Sequence, residues 1–88
     1  MKIKDALNIN NAKLIIGDIN TNLNNFSYDT RTIAKGSTFL GIKGEKINGS
    51  LFYEEALKRG ATTCILCDIN IDLEIISKYP KANIILVD

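Results

Sequence analysis

The 88 residues contain no histidine, no tryptophan, one proline and two cysteines. Without an imidazole the chain can build neither a Ser-His-Asp nor a Cys-His arrangement, and it offers no histidine ligand to a metal. Charge of one sign is lacking too: 11 Lys and Arg stand against 10 Asp and Glu, a formal net charge of +1. That balance supplies no field to draw in duplex nucleic acid or an anionic membrane, so neither is expected as a partner. No apolar run approaches the roughly 20 residues of a membrane span. Met1-Lys2-Ile3-Lys4-Asp5 leads into no hydrophobic signal core, which makes the cytoplasm the expected address.

The two cysteines, Cys64 and Cys67, have the C-x-x-C spacing of redox and zinc sites. Yet Thr62-Thr63-Cys64-Ile65-Leu66-Cys67 is β-prone throughout. On a strand, residues three apart point to opposite faces and cannot grip one metal, so two reduced core thiols are expected. What remains is ordinary globular composition, 45% hydrophobic and 24% charged, enough for one modest core and hence one domain over residues 1–88.

Ile3, Ala6 and Leu7 recur at helical spacing and predict a short helix ending in Asn8-Ile9-Asn10-Asn11. Lys13–Gly17 reads as a strand, and Asp18–Asn25 as an Asn-rich loop. Phe26–Asp29 begins as a strand, Ala34-Lys35-Gly36 is a turn, and Ser37–Ile42 is the next strand. From Ser50 to Arg59, Phe52, Tyr53, Ala56 and Leu57 form one stripe, with Glu54/Lys58 and Glu55/Arg59 as i,i+4 pairs. Gly60 ends that helix; Thr62–Cys67 is a strand, Asp72–Lys78 a helix stopped by Pro80, and Asn83–Val87 a strand. The β-α-β-α-β order predicts an α/β fold, a small mostly parallel or mixed sheet with helices packed on it. Ligands then belong beyond the carboxyl ends of the strands. The apolar strand Ile84–Val87 runs to Asp88 with no polar tail, from which the 88 residues are expected to be a piece of a longer protein.

Two stretches carry chemistry. Lys43-Gly44-Glu45-Lys46-Ile47-Asn48-Gly49-Ser50 joins a strand to the start of the best helix. Free amides around Gly49, Ser50 and Leu51 would face a phosphate there, with Lys43 or Lys46 adding charge. The competing reading has Asn48 or Ser50 as a helix cap, with both lysines solvated. Asp29-Thr30-Arg31 puts a carboxylate, a hydroxyl and a guanidinium at a strand end, as a structural ion pair, an Asx-type turn or a holder of a polar ligand. Gly41, inside a strand, marks a close approach to the backbone.

Ser27-Tyr28-Asp29-Thr30-Arg31, Lys35-Gly36-Ser37-Thr38-Phe39-Leu40, Lys43-Gly44-Glu45, Asn48-Gly49, Phe52, Ala56 and Gly60-Ala61 together resemble the N-terminal domain of the Mur ligases. These are ATP-dependent enzymes that add amino acids to the muramoyl peptide of bacterial cell-wall precursors. Their pattern is roughly S-x-D-[ST]-R, K-x-G-x-x-F-x-A-x-x-G, D-G-H-x-F, A-x-x-x-G-A. The resemblance implies a domain that anchors the uridine diphosphate end of UDP-N-acetylmuramoyl-peptide, the amino-terminal fragment of a three-domain ligase. Ser27, Asp29, Thr30 and Arg31 would lie at the nucleotide end, while Lys43, Gly44, Glu45, Lys46, Asn48 and Gly49 would line the uracil and diphosphate pocket. Asn48 stands where the family usually has Asp, and Ser50 where His is common.

The resemblance assigns no catalytic residue, metal or cofactor to these 88 residues, and the fragment alone is expected to be inactive. ATP and Mg2+ would belong to later domains of the same chain, with the central ATP-binding domain as a partner. No G-K-[ST] loop occurs here. Asp-Thr-Arg-Thr-Ile and Leu-Gly-Ile-Lys-Gly-Glu lean toward the D-alanyl-D-alanine-adding ligase, with the ligase adding the third peptide residue as the alternative. A non-enzymatic interaction module is the competing function.

Overall fold

The computed structural model describes residues 1–9 and 11–88. Five strands, β1 (Lys13–Ile16), β2 (Phe26–Ser27), β3 (Thr38–Leu40), β4 (Thr63–Cys67) and β5 (Asn83–Val87), form one sheet in the order β1-β5-β4-β3-β2. β2 to β5 run parallel; β1 lies antiparallel along β5. The sheet is therefore mixed; helices α2 (Tyr53–Lys58) and α3 (Leu73–Ser77) form the crossovers from β3 to β4 and from β4 to β5, and a 3-10 turn over Thr30–Thr32 lies in the one from β2 to β3.

Strand residues alternate between two apolar layers. Phe39, Cys64, Leu66 and Ile84 point toward Tyr53, Ala56 and Leu57 of α2 and Ile76 of α3. Ile85, with Ile65 and Leu14 beside it, points the other way and packs on Leu23 and on Ile3 of helix α1 (Ile3–Ala6). Phe39 is the largest fully buried side chain, and its loss to Ala would cost about 3–5 kcal/mol, a large share of a small domain's stability.

The stripe Tyr53, Ala56 and Leu57 explains why α2 packs, but the expected helix Ser50–Arg59 forms only in part. Its first turn is a 3-10 turn over Gly49–Phe52, because Ser50 is drawn into the sheet by its own side chain. At its other end, Gly60 adopts φ +110°; Gly60 N donates to Leu57 O (3.1 Å) and Ala61 N to Ala56 O (3.0 Å), a Schellman closure that only a glycine takes without strain. Of the two expected pairs, Glu55 and Arg59 meet at 2.8 Å, whereas Glu54 and Lys58 do not form an ion pair. Asp72 caps α3 by accepting from Glu74 N (2.9 Å), and the Tyr53 hydroxyl accepts from Asp72 N (3.1 Å), tying α2 to α3.

The expected strands are shorter than the apolar runs. Phe26–Asp29 stops at Ser27, whose hydroxyl accepts from Asp29 N (3.2 Å) and turns the chain aside. Ser37–Ile42 contracts to Thr38–Leu40, although Gly41 N still reaches Ile65 O at 2.8 Å. Of the Asn8–Asn11 helix end, Asn10 lies outside the described residues.

Candidate functional site

The parallel strands end together at Ser27, Leu40, Cys67 and Val87, so the segments leaving them share one edge of the sheet. Both sequence-predicted stretches are placed there: Ser27 ends β2 and residues 28–31 follow it, and residues 43–49 follow β3.

After β2, Asp29 acts locally. Its carboxylate accepts from Arg31 N (2.9 Å) as the cap of a 3-10 turn over Thr30–Thr32, and it grips the Arg31 guanidinium through Nε (3.1 Å) and Nη2 (2.8 Å). The Arg31 hydrogen bonds hold the Asp29 carboxyl down at about 2. Ser27 and Thr32 hydroxyls lie 2.6 Å apart under the same turn. The ion-pair and turn readings of Asp29 and Arg31 thus both hold. What the turn presents outward is a cleft of about 230 Å3 between Tyr28, Asp29, Thr30 and Phe52, with both rings exposed. Two aromatic faces beside a hydroxyl and a carboxylate suit a planar polar ring.

After β3, the loop folds back on itself through a Lys43–Asn48 bridge, with Gly44 N donating to Ile47 O (2.9 Å). The amides expected to face a phosphate are engaged: Gly49 N donates to Ile42 O (2.7 Å), Ser50 N to Asn48 Oδ1 (3.0 Å) and Leu51 N to Asn48 O (3.0 Å). This corrects the free-amide expectation, and the physical reason is Asn48. Its carbonyl oxygen caps the 3-10 turn while its amide donates to Cys67 O (2.9 Å) and Asp68 O (3.1 Å) at the end of β4. Ser50, fully buried, completes the lock by donating to Gly41 O (3.0 Å) and accepting from Cys67 N (2.9 Å). A Cβ on Gly41 would fall 2.3 Å from Ser50 Oγ, so Ser50 is the close neighbour that this in-strand glycine signalled.

Lys43 is salt-bridged to Asp68, whose carboxylate raises the ammonium pKa and is itself lowered by it. Lys46, Gly44 and Glu45 remain on the exposed outer side of the loop, and Lys46 forms no ion pair among the described residues. Lys43 and Asp68 also border an open cavity of about 510 Å3 with Cys67, Val87 and Asp88; it continues into a larger one, about 710 Å3, lined by Asp68, Asn11 and Lys13. The larger of these cavities therefore sits on the β4–β5 side of the edge, away from the Tyr28–Phe52 cleft. The smaller cleft alone of the two joins a pair of ring faces to polar groups.

The sequence motifs do not single out Tyr28, Phe52 or Asp68 for binding. Tyr28 could have been found as an aromatic inside the Ser27–Arg31 stretch; Asp68, held at φ +51°, gives no local signal. The cysteines behave as thiols of different kinds: Cys64 is buried, and burial pushes its thiol up to about 12, while Cys67 is half-buried. Among the described residues no cluster of three or more His, Cys, Asp or Glu could hold a metal ion, and no helix is long and apolar enough to cross a membrane.

Residues 22–87 match the family described as "Mur ligase family, catalytic domain". Among curated proteins, the chain is 44% identical over 50 residues to the UDP-N-acetylmuramoyl-L-alanyl-D-glutamate--2,6-diaminopimelate ligase of Prochlorococcus marinus, covering 57% of this chain and 10% of the relative. A ligase of the same name from Clostridium acetobutylicum, its second, is 36% identical over 66 residues, covering 75% of this chain and 14% of the relative. That organism's first such ligase aligns along all 88 residues at 27% identity and 17% of its own length. The chain thus spans under a fifth of the length of these relatives. Their names specify addition of 2,6-diaminopimelate after L-alanyl-D-glutamate, so the lean toward the D-alanyl-D-alanine-adding type is not supported, and the comparison favours the third-residue alternative. With three quarters of its length matched, the chain belongs to the Mur ligase family.

Proposed function

We propose that this domain anchors the uridine diphosphate end of a UDP-N-acetylmuramoyl-peptide in a cytoplasmic, ATP-dependent ligase that adds the third peptide residue, 2,6-diaminopimelate. The observation that carries the reading is the exposed Tyr28–Phe52 cleft, set against the rigid Lys43–Gly49 loop at one sheet edge. In this reading the uracil ring lies between Tyr28 and Phe52, with Thr30 and Asp29 meeting its polar edge. The diphosphate runs toward Lys46 and the outer side of the loop, where Gly44 and Glu45 border its path. Arg31, its guanidinium held by Asp29, fixes the turn that carries Tyr28 and Thr30, while Lys43, Asn48, Gly49 and Ser27 shape the site and hold it rigid. The domain brings no nucleophile and no general base; ATP, Mg2+ and ligation belong to the remainder of the parent enzyme, and the fragment alone is inactive.

Titration of the folded domain with UDP tests this by NMR. Amide shifts at Tyr28, Thr30, Gly44 and Phe52 are expected at millimolar ligand, since the rest of the substrate is held elsewhere. An unchanged spectrum at that concentration would remove uridine diphosphate binding from the domain.

A further inference from the structure

We propose that the opposite edge of the sheet, at the amino-terminal ends of β3, β4 and β5, is a docking surface for an acidic peptide segment of a partner protein. Three segments are laced together there: Gly36 N donates to Gly60 O, Thr62 N to Ser37 O and Asn83 N to Thr62 O, each at 2.9 Å. Residues 33–37, 57–63 and 77–83 carry five of the chain's 11 basic residues, Lys35, Lys58, Arg59, Lys78 and Lys81, and no carboxylate. All five are exposed. Arg59 is engaged by Glu55, but the four lysines form no ion pair among the described residues. The overall charge of +1 therefore conceals a basic patch, with Asp18, whose backbone N donates to Asn83 Oδ1 (2.7 Å), as a carboxylate at its β5 margin.

Helix ends account for only part of it. Lys58 and Lys78 lie at the carboxyl ends of α2 and α3, where a cation offsets the helix dipole. Lys35 and Lys81 lie in connections and have no such role. Beside them opens a cleft of about 290 Å3 in which Ala61, Tyr79, Pro80 and Ala82 provide an apolar floor and Lys78 and Lys81 a cationic rim. Charge complementarity calls for a run of carboxylates, and the floor for an apolar side chain among them. A lipid surface fits less well, because the exposed large hydrophobic residues of this edge, Ile16 beside Ile84 and Phe26 beside Thr38, lie on its outer strands and do not line the cleft.

The test is an NMR titration of the 88-residue chain with the capped peptide Asp-Glu-Leu-Asp-Glu-Phe-Asp-Glu. Shifts are expected at Ala61, Thr62, Lys81 and Ala82 in low salt, with affinity falling about tenfold or more once the Debye length drops well below ~10 Å. The Lys78→Glu/Lys81→Glu variant should lose the shifts while keeping its far-ultraviolet dichroism; if that pair misfolds, Lys78→Gln/Lys81→Gln carries the same expectation. No shift at this edge with millimolar peptide overturns the proposal, as do shifts that survive both charge variants. Phosphatidylserine vesicles or inorganic phosphate moving these amides when the peptide does not would overturn it too. UDP added to the same sample reports on the other edge, so either site can fail without the other.

Discussion

Asn48→Asp is nearly isosteric, yet it should destabilise the domain, because this residue serves three partners at once. The carboxylate can still accept from Ser50 N, and its charge at the start of a helical segment is favourable by about 0.3–1 kcal/mol. It can no longer donate to Cys67 O and Asp68 O, two bonds of 2.9 and 3.1 Å worth about 0.5–1.5 kcal/mol each. It also turns a negative oxygen toward two carbonyls, close to the Asp68 carboxylate. The losses exceed the gain, leaving a net cost of about 1–2 kcal/mol, or a fall in Tm of roughly 4–8 °C per kcal/mol for a domain this size. Urea unfolding followed by circular dichroism reads this as a lower midpoint with unchanged slope. Asn48→Ala, which loses all three bonds, is the companion variant. If Asn48→Asp unfolds at the wild-type midpoint while Asn48→Ala loses about 1 kcal/mol, only the cap matters and the staple to β4 contributes nothing.

Two further outcomes follow from the same geometry. Arg31→Ala should raise the Asp29 carboxyl from about 2 toward its ordinary value, followed by carbon-detected NMR titration. A depressed carboxyl stabilises the fold above its unfolded pKa, so the wild-type advantage should be complete above about pH 4 and vanish as pH falls toward 2; an advantage independent of pH would refute the pairing. In alkylation of the native chain at pH 8, Cys67 should react and Cys64 should not until the fold opens, which mass spectrometry of the digested product checks; equal labelling would contradict the burial of Cys64.

Periodicity made the helices and the parallel strands legible, because burial on two faces leaves continuous apolar runs such as Thr63–Cys67 and a clean stripe at Tyr53, Ala56 and Leu57. It did not reveal that β1 runs antiparallel beside β5, since the direction of an edge strand depends on a partner 68 residues or more away in sequence, as Ile16 is from Ile84. Nor did it show the 3-10 turn at Gly49–Phe52: the apolar stripe starts at Phe52 in either case, and the departure is set by Ser50 bonding to Gly41 and Cys67 across the sheet.

At the ligand edge, position was legible and occupancy was not. Residue order placed 27–31 and 43–49 at strand ends, and both stretches arrived there. A loop between a strand and a helix start offers the same donors whether a phosphate or the protein itself takes them, and the choice depends on what stands opposite. Here Asn48 and Ser50 face the end of β4, so the Gly49–Leu51 amides are satisfied internally and the loop becomes a wall instead of a cradle. Recognition of an anion at this edge then falls to side chains that project past the wall. Since Lys43 is held by Asp68 and Arg31 by Asp29, Lys46 is the loop cation that forms no ion pair among the described residues, and the ring contacts at Tyr28 and Phe52 must supply much of the selectivity.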